Sequence, residues 1–104
     1  MVITSQRVNA NTLKIFVAGR IDTLTAAEFR REVMKISLGV RKIIFDFRDV
    51  EYVSSSGLRE ILICQKNFSV VQIENVRRDI YQLFLMAGFD KLITVNKLTS
   101  DAAT

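Results

Sequence analysis

Lys42-Ile43-Ile44-Phe45-Asp46-Phe47-Arg48-Asp49-Val50-Glu51-Tyr52-Val53-Ser54-Ser55-Ser56-Gly57-Leu58 is the stretch that decides how this chain is read. Its first six residues are an almost continuous apolar run, the pattern of a strand buried on both faces. Residues 48–53 then read as a connecting loop. Ser54, Ser55, Ser56 and Gly57 follow, and beyond them Leu58, Ile61, Leu62 and Gln65 recur at helical spacing. Strand, connection and amphipathic helix in this order predict a parallel strand-helix-strand crossover, with three hydroxyls at the start of its helix.

The flanking sequence extends this unit in both directions. Residues 2–8 alternate weakly, with Ile3 and Val8 apolar, and Asn9-Ala10-Asn11 supplies turn chemistry. Leu13, Ile15 and Val17 alternate up to Gly19, so a hairpin is expected. Thr25-Ala26-Ala27-Glu28 fits a capping box, in which Thr25 accepts from the amide three residues on and Glu28 reaches back. Phe29, Val33 and Ile36 continue at helical spacing, and Gly39 is a plausible stop. Downstream, Val70, Val71 and Ile73 read as a strand. Ile80, Leu83, Phe84 and Ala87 form one helical stripe ended by Gly88, and Leu92, Ile93 and Val95 read as a last short strand. The tail from residue 97 to 104 is expected to be a frayed helix. The order β-β-α-β-α-β-α-β predicts an α/β fold: a mixed sheet of about five strands, the first antiparallel at an edge, with three to four helices packed against it.

Composition narrows the function. At 104 residues one domain spanning 1–104 is expected, burying roughly two-thirds of the surface its unfolded chain exposes. There is no His and only one Cys, Cys64. That removes the commonest general base, the usual partner of a Ser nucleophile, intrachain disulfides and Cys-based metal sites. A non-enzymatic binding or regulatory module without a cofactor or metal is the starting expectation. Cys64 lies in an apolar stretch and reads as a small core residue. The net charge is +4, but the fifteen Lys and Arg are dispersed in pairs at most, so a solvated surface is favoured over a nucleic-acid patch. Such a surface suits an acidic protein partner. No apolar run approaches the ~20 residues of a membrane span, and the start does not read as a signal peptide, so a cytoplasmic protein is expected.

The serine cluster carries two readings. Serines are good N-caps, worth about 1 kcal/mol over Ala. Free amides and the positive helix end also favour an anion, and an exposed serine there is a good phosphoacceptor. Asp22, after the second strand, is a turn or capping residue that could also lie beside the serine loop, since both follow strands expected to be neighbours. Asp46 and Asp49 lack the further acidic pair that a magnesium-dependent receiver site needs. Residues 54–58 lack the second glycine and the lysine of a Walker loop, and no Gly-x-Gly-x-x-Gly occurs.

Four segments together resemble the STAS domain, found in anti-sigma factor antagonists and in several transporter tails. These are Val17-Ala18-Gly19-Arg20-Ile21-Asp22, the Asp46-containing strand, residues 50–58, and Ala87-Gly88-Phe89-Asp90-Lys91-Leu92 after the last helix. The resemblance covers about residues 3–97. It implies a phosphoacceptor at Ser55, with Ser56 the alternative. It also implies a partner-facing surface at Asp22, Thr23, Ser54, Ser56, Gly57, Leu58, Arg59 and Leu62. The partner it implies is an anti-sigma factor, a serine kinase of the histidine-kinase-like ATPase type, and the chain itself would be a monomer or weak dimer. Two positions depart from the family: Ser54 stands where Asp is usual, and Arg59 where Gly is common. Ser54 therefore keeps a second expectation open, an unphosphorylated scaffold or transporter accessory; a small nucleotide-binding protein using residues 54–57 is a third.

Overall fold

Alternation around the short Asn9-Ala10-Asn11 turn produces the expected hairpin. In the computed structural model, which describes residues 1–98, β1 (Val2–Asn9) pairs antiparallel with β2 (Thr12–Ile21), from Val2 opposite Ala18 to Asn9 opposite Thr12. The Asn9 Oδ1 accepts the Asn11 N–H at 2.9 Å, closing the turn with its own side chain. Three parallel strands follow: β3 (Lys42–Val53), β4 (Val70–Val76) and β5 (Thr94–Lys97). The strand order is β1-β2-β3-β4-β5. The crossovers carry α1 (Ala26–Ile36), α2 (Ser55–Asn67), and α3 (Arg78–Met86) with a short 3₁₀ turn at Phe89–Lys91. The five-stranded mixed sheet with β1 antiparallel at its edge is therefore as the sequence predicts, with three α-helices among the described residues.

β3 departs from expectation in two ways. Residues 48–53 are strand, not loop: Asp49 lies opposite Ala18, Val50 opposite Gly19, Tyr52 opposite Arg20 and Val53 opposite Ile21. Two register shifts each take up one extra residue of β3. Phe47, Val50 and Val53 thereby all turn inward at a spacing of three, which strict alternation cannot reveal. Nor is β3 buried on both faces. Ile43, Phe45 and Phe47 are fully buried under the helices, but Ile44 on the opposite face is only half-buried. That uncovered face carries Lys14, Phe16, Gln72 and Glu74 beside Ile44 and Asp46. Lys14 Nζ sits 2.8 Å from Glu74 Oε1, and this hydrogen bond outweighs partial desolvation to hold the ammonium above its ordinary range.

The helices cover the other face. Ala26, Phe29 and Val33 of α1, Gly57, Ile61 and Cys64 of α2, and Ile80 and Phe84 of α3 are their buried residues. A chain of ring contacts ties the layers together. Phe29 meets Phe45 at 5.5 Å between centroids, Phe45 meets Phe47 at 5.7 Å, Phe47 meets Phe84 at 6.3 Å and Phe84 stacks on Phe89 at 5.2 Å. Ala87 is exposed rather than on the buried stripe, because α3 has already ended at Met86. Leu92 also lies outside the last strand and is exposed, while Ile93 fills the core. Of the expected frayed tail, Lys97 belongs to β5 and the Leu98 N–H donates to the Val76 carbonyl at 2.8 Å, while residues 99–104 lie outside the described residues. Among the described residues no helix is long and apolar enough to cross a membrane.

Candidate functional site

The carboxyl ends of β2 and β3 bring Asp22 and the serines together. In β2, Gly19 adopts φ +100°, a conformation that favours glycine, where the β2–β3 register shifts. Past Ile21 the chain turns into α1, and the capping differs from expectation. Thr25 makes no capping bond to the helix; its hydroxyl accepts the Asp22 N–H at 2.9 Å and donates to the Arg20 carbonyl at 2.8 Å. Asp22 Oδ1 accepts the N–H groups of Leu24 at 3.0 Å and Thr25 at 3.1 Å, and its carbonyl accepts the Ala26 N–H at 2.8 Å. The reciprocal box exists, then, but three residues earlier, as Asp22-x-x-Thr25. Asp competes well for this role because a carboxylate takes two amides at once.

Desolvation raises the Asp22 pKa, but the opposing interactions together outweigh it. The Leu24 and Thr25 amides, the Thr25 hydroxyl and the Arg20 charge hold the carboxyl below its ordinary 3.8. Arg20 Nε lies 3.6 Å from Asp22 Oδ2, and its guanidinium sits 4.4 Å from the centre of the Tyr52 ring.

The serine loop is fastened to this turn by backbone. The Ser54 N–H donates to the Ile21 carbonyl at 2.8 Å. Ser54 is the N-cap of α2, in extended conformation, and its Oγ accepts the Gly57 N–H at 3.1 Å. The close approach explains the glycine. A Cβ on Gly57 would lie 2.8 Å from the Ile21 carbonyl oxygen and 2.9 Å from both Ile21 Cγ2 and Val53 Cγ1. Ser55, the first residue of α2, is exposed, whereas Ser56 is half-buried and Gly57 is buried. The first turn of α2 contains no acidic residue, so nothing there offsets the positive helix end. Arg59, exposed one turn after Ser55, forms no ion pair among the described residues.

The expected partner-facing residues are not equally available. Asp22, Thr23, Ser54 and Ser55 gather at one sheet edge, with Arg59 following. Leu58 and Leu62, the two candidates for an apolar anchor, are both half-buried and packed on the core; Leu62 is nearly two turns from Ser55. The strongly exposed apolar side chain here is Leu24, at 90%, with Tyr52 at 40%. Sequence reasoning passed over Leu24, although it falls off the Phe29-Val33-Ile36 stripe inside an otherwise polar turn. Asp46 is a structural residue on the uncovered sheet face, accepting Arg48 N–H at 3.0 Å and Asn75 Nδ2 at 2.8 Å. Asp49 is exposed, and among the described residues no group of three His, Cys, Asp or Glu could hold a metal ion.

The STAS domain model matches residues 4–103, and the chain belongs to the STAS domain family. A search of curated protein sequences finds no match. Similar solved structures include a putative anti-sigma factor antagonist from Thermotoga maritima, at 17% identity and TM-score 0.83 over 96% of this chain and 90% of that one. The unphosphorylated anti-sigma factor antagonist SpoIIAA matches at 17% identity and TM-score 0.76, over 90% of this chain and 87% of that chain. The fold also occurs in the murine Slc26a9 anion transporter, at 13% identity and TM-score 0.70, where 82% of this chain matches 15% of the transporter. At these identities the likeness is one of fold.

Proposed function

We propose that this chain is an anti-sigma factor antagonist, a non-enzymatic switch that acts by binding. Its unphosphorylated form binds an anti-sigma factor of the serine-kinase type and releases the sigma factor; phosphorylation of Ser55 reverses this. The observation that carries the reading is the position of Ser55. It is exposed on the first turn of α2, while Ser54 is engaged as the cap and Ser56 is half-buried. Of the three hydroxyls, Ser55 is thus the one free to enter a kinase site. A phosphate there adds about −1.5 to −2 charges, stabilised by the helix end but set in the path of a docking partner. Leu24 and Tyr52 are exposed apolar side chains on the segments that lead into and out of this sheet edge, available to a partner. Ser54 in place of the usual Asp is compatible with this role, because the one bond its side chain makes, to the Gly57 N–H, is one a carboxylate also accepts.

The second reading, a scaffold or transporter accessory without phosphorylation, is favoured by the shared fold of the Slc26a9 transporter and of a sulfate transporter family protein from Wolinella succinogenes. Incubation with ATP and the kinase encoded beside its gene, followed by intact mass, separates the two. A single phosphoryl shift that is lost in Ser55→Ala and kept in Ser56→Ala supports the switch. An active kinase that leaves the mass unchanged refutes it in favour of the scaffold.

A further inference from the structure

Outside the Ser55 edge, the helix layer holds a groove of about 820 Å³ between α1 and α2. Met34 and Ile63, both half-buried, give it an apolar floor. Its rim is basic: Arg30, Arg31 and Lys35 line it against a single acid, Glu32. Arg30 is already occupied, with Nε 2.9 Å from Glu60 Oε1. Arg31 and Lys35 are exposed, lie one turn apart on α1 and make no ion pair among the described residues. Ile63 is eight residues beyond Ser55, or ~12 Å along the helix axis, so the groove is a separate surface from the serine edge.

We propose that this groove docks an acidic amphipathic helix of a protein partner. The valley between two neighbouring helices accepts a third rod, whose apolar residues at i, i+3 and i+4 would meet Met34 and Ile63. Its flanking carboxylates would pair with Arg31 and Lys35, and the excess of cations over acids on the rim selects an acidic helix over a basic one. The surface is independent of the phosphorylation reading. It lets the chain hold a second partner while the Ser55 edge is occupied or phosphorylated.

The test uses a fluorescein-labelled synthetic peptide of about 18 residues, five helical turns, with Leu on one face and Glu on the others. A scrambled peptide of the same composition, a single-stranded oligothymidylate and phosphatidylcholine–phosphatidylglycerol vesicles serve as competing probes. Fluorescence polarisation should show saturable binding of the amphipathic peptide, weakened about tenfold or more in R31E/K35E and on raising salt, and unchanged in Ser55→Glu. Circular dichroism of R31E/K35E should match the parent, since both side chains are exposed. The proposal is overturned if the peptide fails to saturate, if R31E/K35E binds it equally, or if Ser55→Glu abolishes binding. It is also overturned if the scrambled peptide, the oligothymidylate or the vesicles bind as tightly as the amphipathic peptide, since the groove would then be only part of a general basic surface.

Discussion

Gly57→Ala is expected to destabilise the fold, although alanine is the better helix former. Placed inside α2, alanine gains about 1 kcal/mol of helix propensity over glycine. Against this, the new Cβ would meet the Ile21 carbonyl oxygen at 2.8 Å, where ordinary contact begins at 3.4 Å. That oxygen cannot simply yield, because it accepts the Ser54 N–H at 2.8 Å and so fastens β2 to the start of α2. Two further contacts, with Ile21 Cγ2 and Val53 Cγ1 at 2.9 Å, involve buried β-branched side chains with little freedom to move. Overpacking of this kind costs about 1–3 kcal/mol, and stretching the Ser54 hydrogen bond adds up to about 1 kcal/mol. Set against the propensity gain, these costs leave a net loss of about 0–3 kcal/mol centred on about 1.5 kcal/mol, a fall of about 6–12 °C in Tm for a domain of this size. The chain has no Trp, so urea unfolding followed by far-ultraviolet circular dichroism is the suitable assay. The midpoint should fall with the slope m unchanged. A Gly57→Ala protein as stable as the parent, or more so, would refute the close approach of β2 and α2 and leave helix propensity in control.

Three further outcomes follow from the same geometry. Ser54→Ala should lose about 1 kcal/mol in urea titration, whereas Ser54→Asp should retain the parent stability, since a carboxylate accepts the Gly57 N–H as the hydroxyl does. Asp22 has its folded pKa below 3.8, so its contribution is fully present above that value and is lost as pH falls through the folded pKa. The urea midpoint should therefore drop below pH 4, and drop less steeply in Asp22→Asn. Burial, reinforced by Glu60, pushes the Cys64 thiol up to about 12 from 9.0. In the unfolded chain it ionises first, so its contribution to stability falls as pH rises from 9 towards 12, and a Cys64→Ala protein should lack that component. At neutral pH, Ellman's reagent should label the thiol only when urea unfolds the protein.

Hydrophobic patterning settled most of the architecture because it reports burial directly. Leu13, Ile15 and Val17, then Phe29 and Val33, then Ile80 and Phe84 mark the inner faces of β2, α1 and α3, and each is buried. Residue chemistry likewise placed an exposed hydroxyl next to Asp22 at a helix start, since short turns after neighbouring parallel strands must meet at one sheet edge. Other features depended on contacts between segments distant in sequence. Residues 48–53 became strand because register shifts against β2 turn Val50 and Val53 inward, a pairing that no local periodicity encodes. Thr25 keeps the N-cap position of α1 but makes no capping bond, because its hydroxyl donates to the Arg20 carbonyl at the end of β2, and Asp22 takes the amides of the turn before the helix instead. Three adjacent serines are equivalent on paper. Docking of α2 against Ile21 and Val53 separates them, making Ser54 the cap, half-burying Ser56 and leaving Ser55 exposed. Composition and periodicity act residue by residue, whereas the difference between neighbouring hydroxyls arises only when the helix start is pressed against a second strand.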